Sequence, residues 1–253
     1  MPWDFILILV FLGVIVPWRG AVRVRKLLAQ PRLESSERLT LYASTVAFQW
    51  ITTAVVTWRS IAHGIRPREL GLAAPDPWFL ALVTFVLSLL ILGNQFLGLR
   101  RLVRQPTDRQ TFLYRMTRAV MPQNTVESLA FVALVVTVAP CEEVVYRGFA
   151  LIVFRNALGG SVVLGVLLSS VLFALAHLYQ RRRGVLTTLI VGAIFAAVRL
   201  WTGSLTPTIV AHLAADLMAG LVAPRLLAAA NSPGSMNIVT SARRENFEST
   251  RRV

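Results

Sequence analysis

The sequence contains a single cysteine, Cys141, and few charged residues. One cysteine excludes an intrachain disulfide and any metal site built from several cysteines. Charged residues make up 15% of the 253 positions, whereas a soluble domain carries about 25%. Apolar residues take their place, because 55% of the chain is hydrophobic and the mean hydropathy is +0.63. This composition excludes one large soluble domain as a good description of the chain.

Acidic residues are especially scarce, with 12 Asp and Glu against 26 Lys and Arg. The resulting net charge of +14 raises the question of nucleic-acid binding. The basic residues lie between apolar blocks, however, and no recognised nucleic-acid-binding module is visible. We therefore expect no nucleic-acid partner, and we attribute the positive charge to contact with the headgroups of a lipid bilayer.

Seven apolar blocks approach the length of about 20 residues that a membrane-spanning helix needs. They cover residues 3–18, 39–58, 76–99, 125–155, 162–178, 185–202 and 205–223. The fourth block is too long for one plain span and contains Pro140, so it is either a kinked helix or two helices that meet there. The sequence predicts an all-α, polytopic transmembrane helix bundle of about seven spans, or eight if this block is divided.

Basic residues follow the first, third, fifth and seventh blocks, which simple alternation places on one side of the membrane. The positive-inside rule makes that side the cytoplasm. We expect a multi-pass protein of a bacterial or archaeal cytoplasmic membrane with a cytoplasmic C-terminus. Residues 1–118 are interpreted as anchoring spans with a basic linker, 119–226 as the part that carries the chemistry, and 227–253 as a polar, disordered tail.

Several ionisable residues interrupt the apolar blocks of the C-terminal half. Six of them are candidates for a functional site: Glu142, Glu143, Arg147, His177, His212 and Asp216. An Asp or Arg at the centre of a membrane helix costs about 2.5–3.5 kcal/mol, so such residues are functional candidates. A chain that serves only as an anchor has no reason to carry several of them.

The first cluster, EExxxR, separates two carboxylates by their helical positions. Glu143 and Arg147 are four residues apart and can pair on one face of a helix. Glu142 lies about 100° away around that helix, without a local partner, and is free to act as a general base or acid. A salt-bridged helix end is the structural alternative for this pair.

Two further motifs place imidazole groups in later blocks. Phe173 and His177 form FxxxH, and His212 and Asp216 form HxxxD, which brings imidazole and carboxylate to one helix face. Each motif alone is also compatible with ordinary packing or with a polar contact between helices. Neither is the HExxH zinc pattern. We interpret Gln49, a polar residue in the second block, as an interhelical hydrogen-bond partner rather than a substrate contact.

The order EExxxR, FxxxH and HxxxD resembles the CPBP family of intramembrane proteases, which includes CAAX proteases, bacteriocin-processing enzymes and Ras-converting endopeptidases. The resemblance covers about residues 126–222. It implies that Glu142 and His177 activate the attacking water, and that His212 and the position of Asp216 stabilise the oxyanion. It assigns supporting roles to Glu143, Arg147 and Phe173.

The chain departs from the family pattern at Asp216, where the family has asparagine. Asp216 is either protonated through burial or orients His212. As a third alternative it joins Glu142, His177 and His212 as a ligand of a divalent metal such as zinc. We favour a metal-free glutamate mechanism without a cofactor.

The function that these motifs predict is hydrolysis of a peptide bond in a membrane-associated protein or peptide. The alternative is a catalytically idle membrane scaffold or bacteriocin-immunity protein with the same fold. A transporter that uses the acidic and histidine residues as a proton relay comes third.

Overall fold

The computed structural model describes residues 1–30, 33–104 and 112–230. These residues form eight helices joined by short turns, and no strand occurs among them. The all-α fold predicted from the sequence is therefore confirmed. Most of the predicted disordered tail, residues 231–253, lies outside the described residues, as does part of the basic linker, residues 105–111.

The eight helices follow one another along the chain as α1 to α8. They are α1 Trp3–Ala29, α2 Ser35–Ala62, α3 Pro77–Arg104, α4 Phe112–Val120, α5 Thr125–Ala157, α6 Val162–Ala176, α7 Arg181–Thr202 and α8, which runs from Thr206 to residue 230. The short 3₁₀ turn Leu178–Gln180 joins α6 to α7.

Six of these helices, α1, α2, α3, α5, α7 and α8, are long and apolar enough to cross a membrane. The predicted fifth block is α6, which has 15 residues and is shorter than the range of about 17–25 for a span. The first span is longer than predicted and continues to Ala29, so Arg19 and Arg23 lie on a helix and not in a loop. The polytopic bundle is confirmed, with six full-length candidate spans and one shorter helix among the described residues.

Local signals explain where the helices of the C-terminal half begin and end. The side chain of Asn124 accepts a hydrogen bond from the backbone of Glu127 at 2.9 Å and caps α5, and Ser161 caps α6 in the same way. Gly203 ends α7 with a φ of 68°, a conformation that glycine adopts without steric cost. Pro207 lies in the first turn of α8, where a missing N–H costs nothing.

Helix α5 passes through Pro140 without interruption, so the alternative of two helices meeting there is wrong. An α-helical part, Thr125–Glu142, continues directly into the π-helical segment Glu143–Ala150. Proline removes one backbone hydrogen bond, and a local π-helical widening accommodates such a defect inside a helix. Every residue of this segment is buried. The widened turn therefore presents Glu143 and Arg147 to the interior of the bundle.

The π-helical segment lies at the centre of the packing. It contacts α2, α6 and α7, while α8 packs against α3 and against the first part of α5. Gly148 allows the turn between α2 and α3 to approach, because a Cβ atom at this position would lie 2.9 Å from the carbonyl oxygen of Leu70. The bundle thus closes tightly around the EExxxR motif.

Two buried arginines link distant parts of the chain. Arg38 of α2 donates two hydrogen bonds of 2.9 Å to the carboxylate of Glu127 at the start of α5. Arg199 of α7 is buried and donates to the backbone carbonyl of Glu69.

Candidate active site

Glu142 ends the α-helical part of α5 and receives a hydrogen bond from another helix. Gln49 of α2 donates from Nε2 to Oε1 of Glu142 at 2.9 Å. The other carboxylate oxygen, Oε2, is buried and has no hydrogen-bond partner among the described residues. Glu142 has no partner on its own helix, as expected, but α2 supplies one. One carboxylate oxygen is thus held in place, and the other is available to a bound molecule.

Glu143 and Arg147 form the ion pair that their spacing predicted. Arg147 donates to Oε1 of Glu143 at 2.9 Å, and both side chains are almost fully enclosed. The guanidinium also lies over the ring of Phe173, 3.9 Å from its centroid, a favourable cation–π arrangement. His212 of α8 approaches the same carboxylate oxygen, with Nδ1 at 3.0 Å.

The contact with Glu143 determines how His212 is oriented. Because a carboxylate only accepts hydrogen bonds, His212 carries a proton on Nδ1 and donates it to Glu143. Its other nitrogen, Nε2, lies 3.9 Å from Oε2 of Glu142 and 3.6 Å from Oδ2 of Asp216. Nε2 therefore lies between two carboxylates and donates only when the ring carries both protons.

His177 follows the last residue of α6 and is oriented by the backbone of that helix. Its Nδ1 donates to the carbonyl oxygen of Phe173 at 2.9 Å, which leaves Nε2 as the nitrogen available for chemistry. The rings of Phe173 and His177 are 4.6 Å apart. Phe173 thus contacts both the His177 ring and the guanidinium of Arg147.

A cavity of about 440 Å³ connects the four predicted catalytic residues. Glu142, His177, His212 and Asp216 all line it, although they come from α5, the end of α6 and α8. Its volume is within the range of about 300–1,000 Å³ that is usual for ligand sites. The wall also includes α1 and α2, which the sequence suggested were anchoring spans.

The metal-ligand alternative requires Glu142, His177, His212 and Asp216 to point at a common centre. Within the described ranges, no group of three or more His, Cys, Asp and Glu side chains has an arrangement suited to a metal ion. His212 in addition uses Nδ1 for Glu143, so only Nε2 is left to bind a metal. These side-chain positions do not fit the four-ligand set.

A family model described as type II CAAX prenyl endopeptidase, Rce1-like, matches residues 124–218. These residues are similar to that family. The match begins at the cap of α5, ends in α8 and contains all four predicted catalytic residues. No curated protein and no solved structure matches the chain.

The Rce1-like match confirms the resemblance that the three motifs indicated. It lies within residues 119–226, the segment expected to carry the chemistry, and the family name describes an endopeptidase. The six candidate spans support an integral membrane protein, and the matched family is described as a protease.

Two residues beside the candidate site show what the sequence left undetermined. Gln49 was predicted to form an interhelical hydrogen bond, and it does so, but the sequence did not indicate that its partner is Glu142. Phe195 was not considered, but its ring lies 6.1 Å from that of His212 and 5.5 Å from the guanidinium carbon of Arg147. When a residue lies on a different helix from the motif, its local sequence carries no signal that would reveal such a contact.

Proposed function

We propose that the protein is an intramembrane endopeptidase that hydrolyses a peptide bond of a membrane-associated protein or peptide. The observation that carries this proposal is the shared cavity, where Glu142, His177, His212 and Asp216 from three parts of the bundle face one space. Peptide hydrolysis needs a base for water, an acid for the leaving amine and donors for the oxyanion. This cavity holds a candidate for each role.

In the proposed reaction, Glu142 and His177 bind the attacking water between them. The free oxygen Oε2 of Glu142 takes a proton from water as the oxygen of water attacks the scissile carbonyl carbon. Glu142 then transfers that proton to the nitrogen of the leaving amine. Gln49 keeps the carboxylate in the orientation that these steps require, through its 2.9 Å hydrogen bond to Oε1.

Stabilisation of the oxyanion is assigned to His212. The ring acts in its doubly protonated form and donates a hydrogen bond through Nε2–H. The supporting residues explain why this ring is well placed. Nδ1 is bound to Glu143, and Glu143 is held by Arg147, so the ring is fixed before substrate binds. Preorganised donors of this kind are commonly the largest contribution to acyl-transfer catalysis.

Asp216 is assigned to the oxyanion site beside His212, 3.6 Å from its Nε2. We expect Asp216→Asn to retain cleavage activity, because the family pattern has asparagine at this position and the amide supplies a donor. Asp216→Leu should lose most activity. Equal loss in both variants, measured as kcat/KM, would show that the negative charge itself is needed.

We propose the metal-free form of this mechanism and a cytoplasmic location for the C-terminus. The metal-free form is supported by the positions of the four side chains, which do not converge as metal ligands do. The orientation is supported by the basic residues that follow the first, third, fifth and seventh apolar blocks, and it requires that α6, the fifth block, also crosses the membrane. The prenyl substrate in the family name is one candidate among membrane-associated peptides.

The test is cleavage of a quenched peptide library by the full-length protein, purified in detergent. Glu142→Gln and His177→Ala should each lower turnover by at least about a hundredfold, the scale of positioned acid–base groups. Glu69→Gln, which changes an exposed carboxylate outside the cavity, is the control and should be unaffected. Near-normal turnover in both site variants would contradict the catalytic roles of Glu142 and His177. No cleavage by the wild-type protein would favour the idle scaffold.

A chelator separates the two versions of the mechanism. We expect wild-type activity to persist after treatment with a chelator, because Glu142 and His177 activate water without a metal. Activity that disappears with chelator and returns with added zinc would instead assign the four residues to a metal site.

A further inference from the structure

The cavity that holds the candidate catalytic residues has a second, basic end. Arg19 and Arg23 of α1 line it, together with Leu27 and the neighbouring part of α2. Both arginines lie outside the Rce1-like match. Neither forms an ion pair with any acidic side chain that the structure describes. The cavity therefore has carboxylates at one end and uncompensated guanidinium groups at the other.

Neutral groups hold the Arg23 guanidinium in position. It donates to the hydroxyl of Ser44 at 2.6 Å and lies 3.4 Å from the carbonyl oxygen of Leu41. These contacts orient the side chain without neutralising its charge. Arg23 is half-buried, so an incoming anion would meet a charge that is only partly screened by water.

Arg19 lies one helical turn before Arg23 and on the same face of α1. Its guanidinium is 4.6 Å from the ring centroid of Phe48, another residue that lines the cavity. Stacking on an aromatic ring leaves the planar edge of an arginine free for bidentate binding of a carboxylate. The two arginines thus form a prepared anion site that opens into the catalytic cavity.

Helix α2 gives an approximate axial separation between the residue that binds Arg23 and the residue that binds Glu142. Ser44, which binds Arg23, and Gln49, which binds Glu142, are five residues apart in this helix. At a rise of 1.5 Å per residue they are separated by about 7.5 Å along the axis. An extended peptide covers that distance with two to three residues, at about 3.3 Å each.

We propose that Arg23 and Arg19 bind a carboxylate of the substrate that lies two to three residues from the scissile bond. This inference rests on the proposed endopeptidase function and adds a specificity for acidic peptides. The carboxylate is supplied either by an Asp or Glu side chain or by the C-terminus of the peptide.

Direct binding tests the inference without depending on turnover. The probes are fluorescent peptide libraries in matched forms, with Asp or Asn at one fixed position and with a free acid or an amide at the C-terminus. The full-length Glu142→Gln protein, in neutral detergent micelles, should bind an acidic form about tenfold more tightly than its neutral partner. The form that shows the preference, internal Asp or terminal acid, identifies the source of the carboxylate.

Arginine variants identify the residues that bind the carboxylate. In the Glu142→Gln background, Arg23→Gln should reduce the preference to less than about threefold, and Arg19→Gln should weaken it without affecting folding, because its side chain is exposed. Arg23→Lys should retain part of it. Arg25→Gln is the matched control, since Arg25 is exposed on the same helix and does not line the cavity; it should keep the full preference.

Three results would overturn the inference. These are equal binding of acidic and neutral peptides, a preference that survives Arg23→Gln, and equal loss in Arg25→Gln. A preference that disappears when phosphatidylglycerol replaces phosphatidylcholine in mixed micelles would likewise overturn it, because Arg23 and Arg19 would then be a headgroup site.

Cleavage by the protein with Glu142 intact is scored separately. Acid preference without cleavage contradicts the protease alone, and cleavage without acid preference contradicts the anion site alone.

Discussion

Replacement of Arg147 by methionine tests the buried ion pair beneath the site. The side chains of Arg147 and Glu143 are 1% and 0% exposed, and their charged atoms are 2.9 Å apart. Methionine keeps much of the aliphatic volume beside Phe173 but removes the cation from the carboxylate, which keeps the hydrogen bond from His212. Removal of one partner of a buried pair costs about 3–5 kcal/mol. Since His212 still donates, we expect a loss near the lower limit, about 3 kcal/mol.

The measurement is the free energy of unfolding in mixed micelles of mild detergent and dodecyl sulfate, followed by circular dichroism. Arg155→Met is the control, because Arg155 lies on the same helix and forms no ion pair among the described residues. It should change stability by less than about 0.5 kcal/mol. The double variant Glu143→Gln, Arg147→Met removes the unpaired charge and should be at least about 1 kcal/mol more stable than Arg147→Met. A single-variant loss below about 1 kcal/mol, or no recovery in the double variant, would refute the reasoning.

Two further predictions follow from contacts around the site. Gln49→Leu removes the donor to Oε1 of Glu142 and should lower kcat about tenfold with little change in KM, as expected for loss of a hydrogen bond to a charged group; unchanged kcat would contradict the positioning role. Gly148→Ala should destabilise the fold by about 1–3 kcal/mol, because the new Cβ meets the carbonyl oxygen of Leu70. Gly93→Ala, with open space around it, should instead be neutral or stabilise by up to about 1 kcal/mol. Thermal unfolding in detergent compares the two, and destabilisation of equal size at both positions would count against the packing argument.

Local patterns in the sequence were enough to predict the all-α bundle and the contacts within single helices. Hydrophobic blocks of span length predicted the transmembrane helices, because each backbone group inside a membrane must be satisfied within its own helix. Glu143 with Arg147 and His212 with Asp216 are each four residues apart, and helix geometry alone brings such side chains together. In the structure these pairs are 2.9 Å and 3.6 Å apart.

Helix length was less predictable than helix position. The sequence placed the end of the first span where the basic residues begin, but α1 continues through Arg19 and Arg23 to Ala29. Long basic side chains reach polar surroundings from within a helix, so their presence does not end it. Pro140 likewise did not divide α5, because the neighbouring helices enclose the π-helical turn that follows it.

Only the tertiary structure determined which helices meet at the site. The hydrogen bond between Gln49 and Glu142 spans 93 residues of sequence, and the one between His212 and Glu143 spans 69. A residue's own neighbours specify the face of the helix on which it lies, but not which helix packs against that face. The sequence by itself therefore determined the helices, their membrane character and the candidate catalytic residues. The packing of α1, α2 and α8 around α5 decided which atoms of those residues are free to act, because contacts between distant helices depend on the fit of whole helix surfaces.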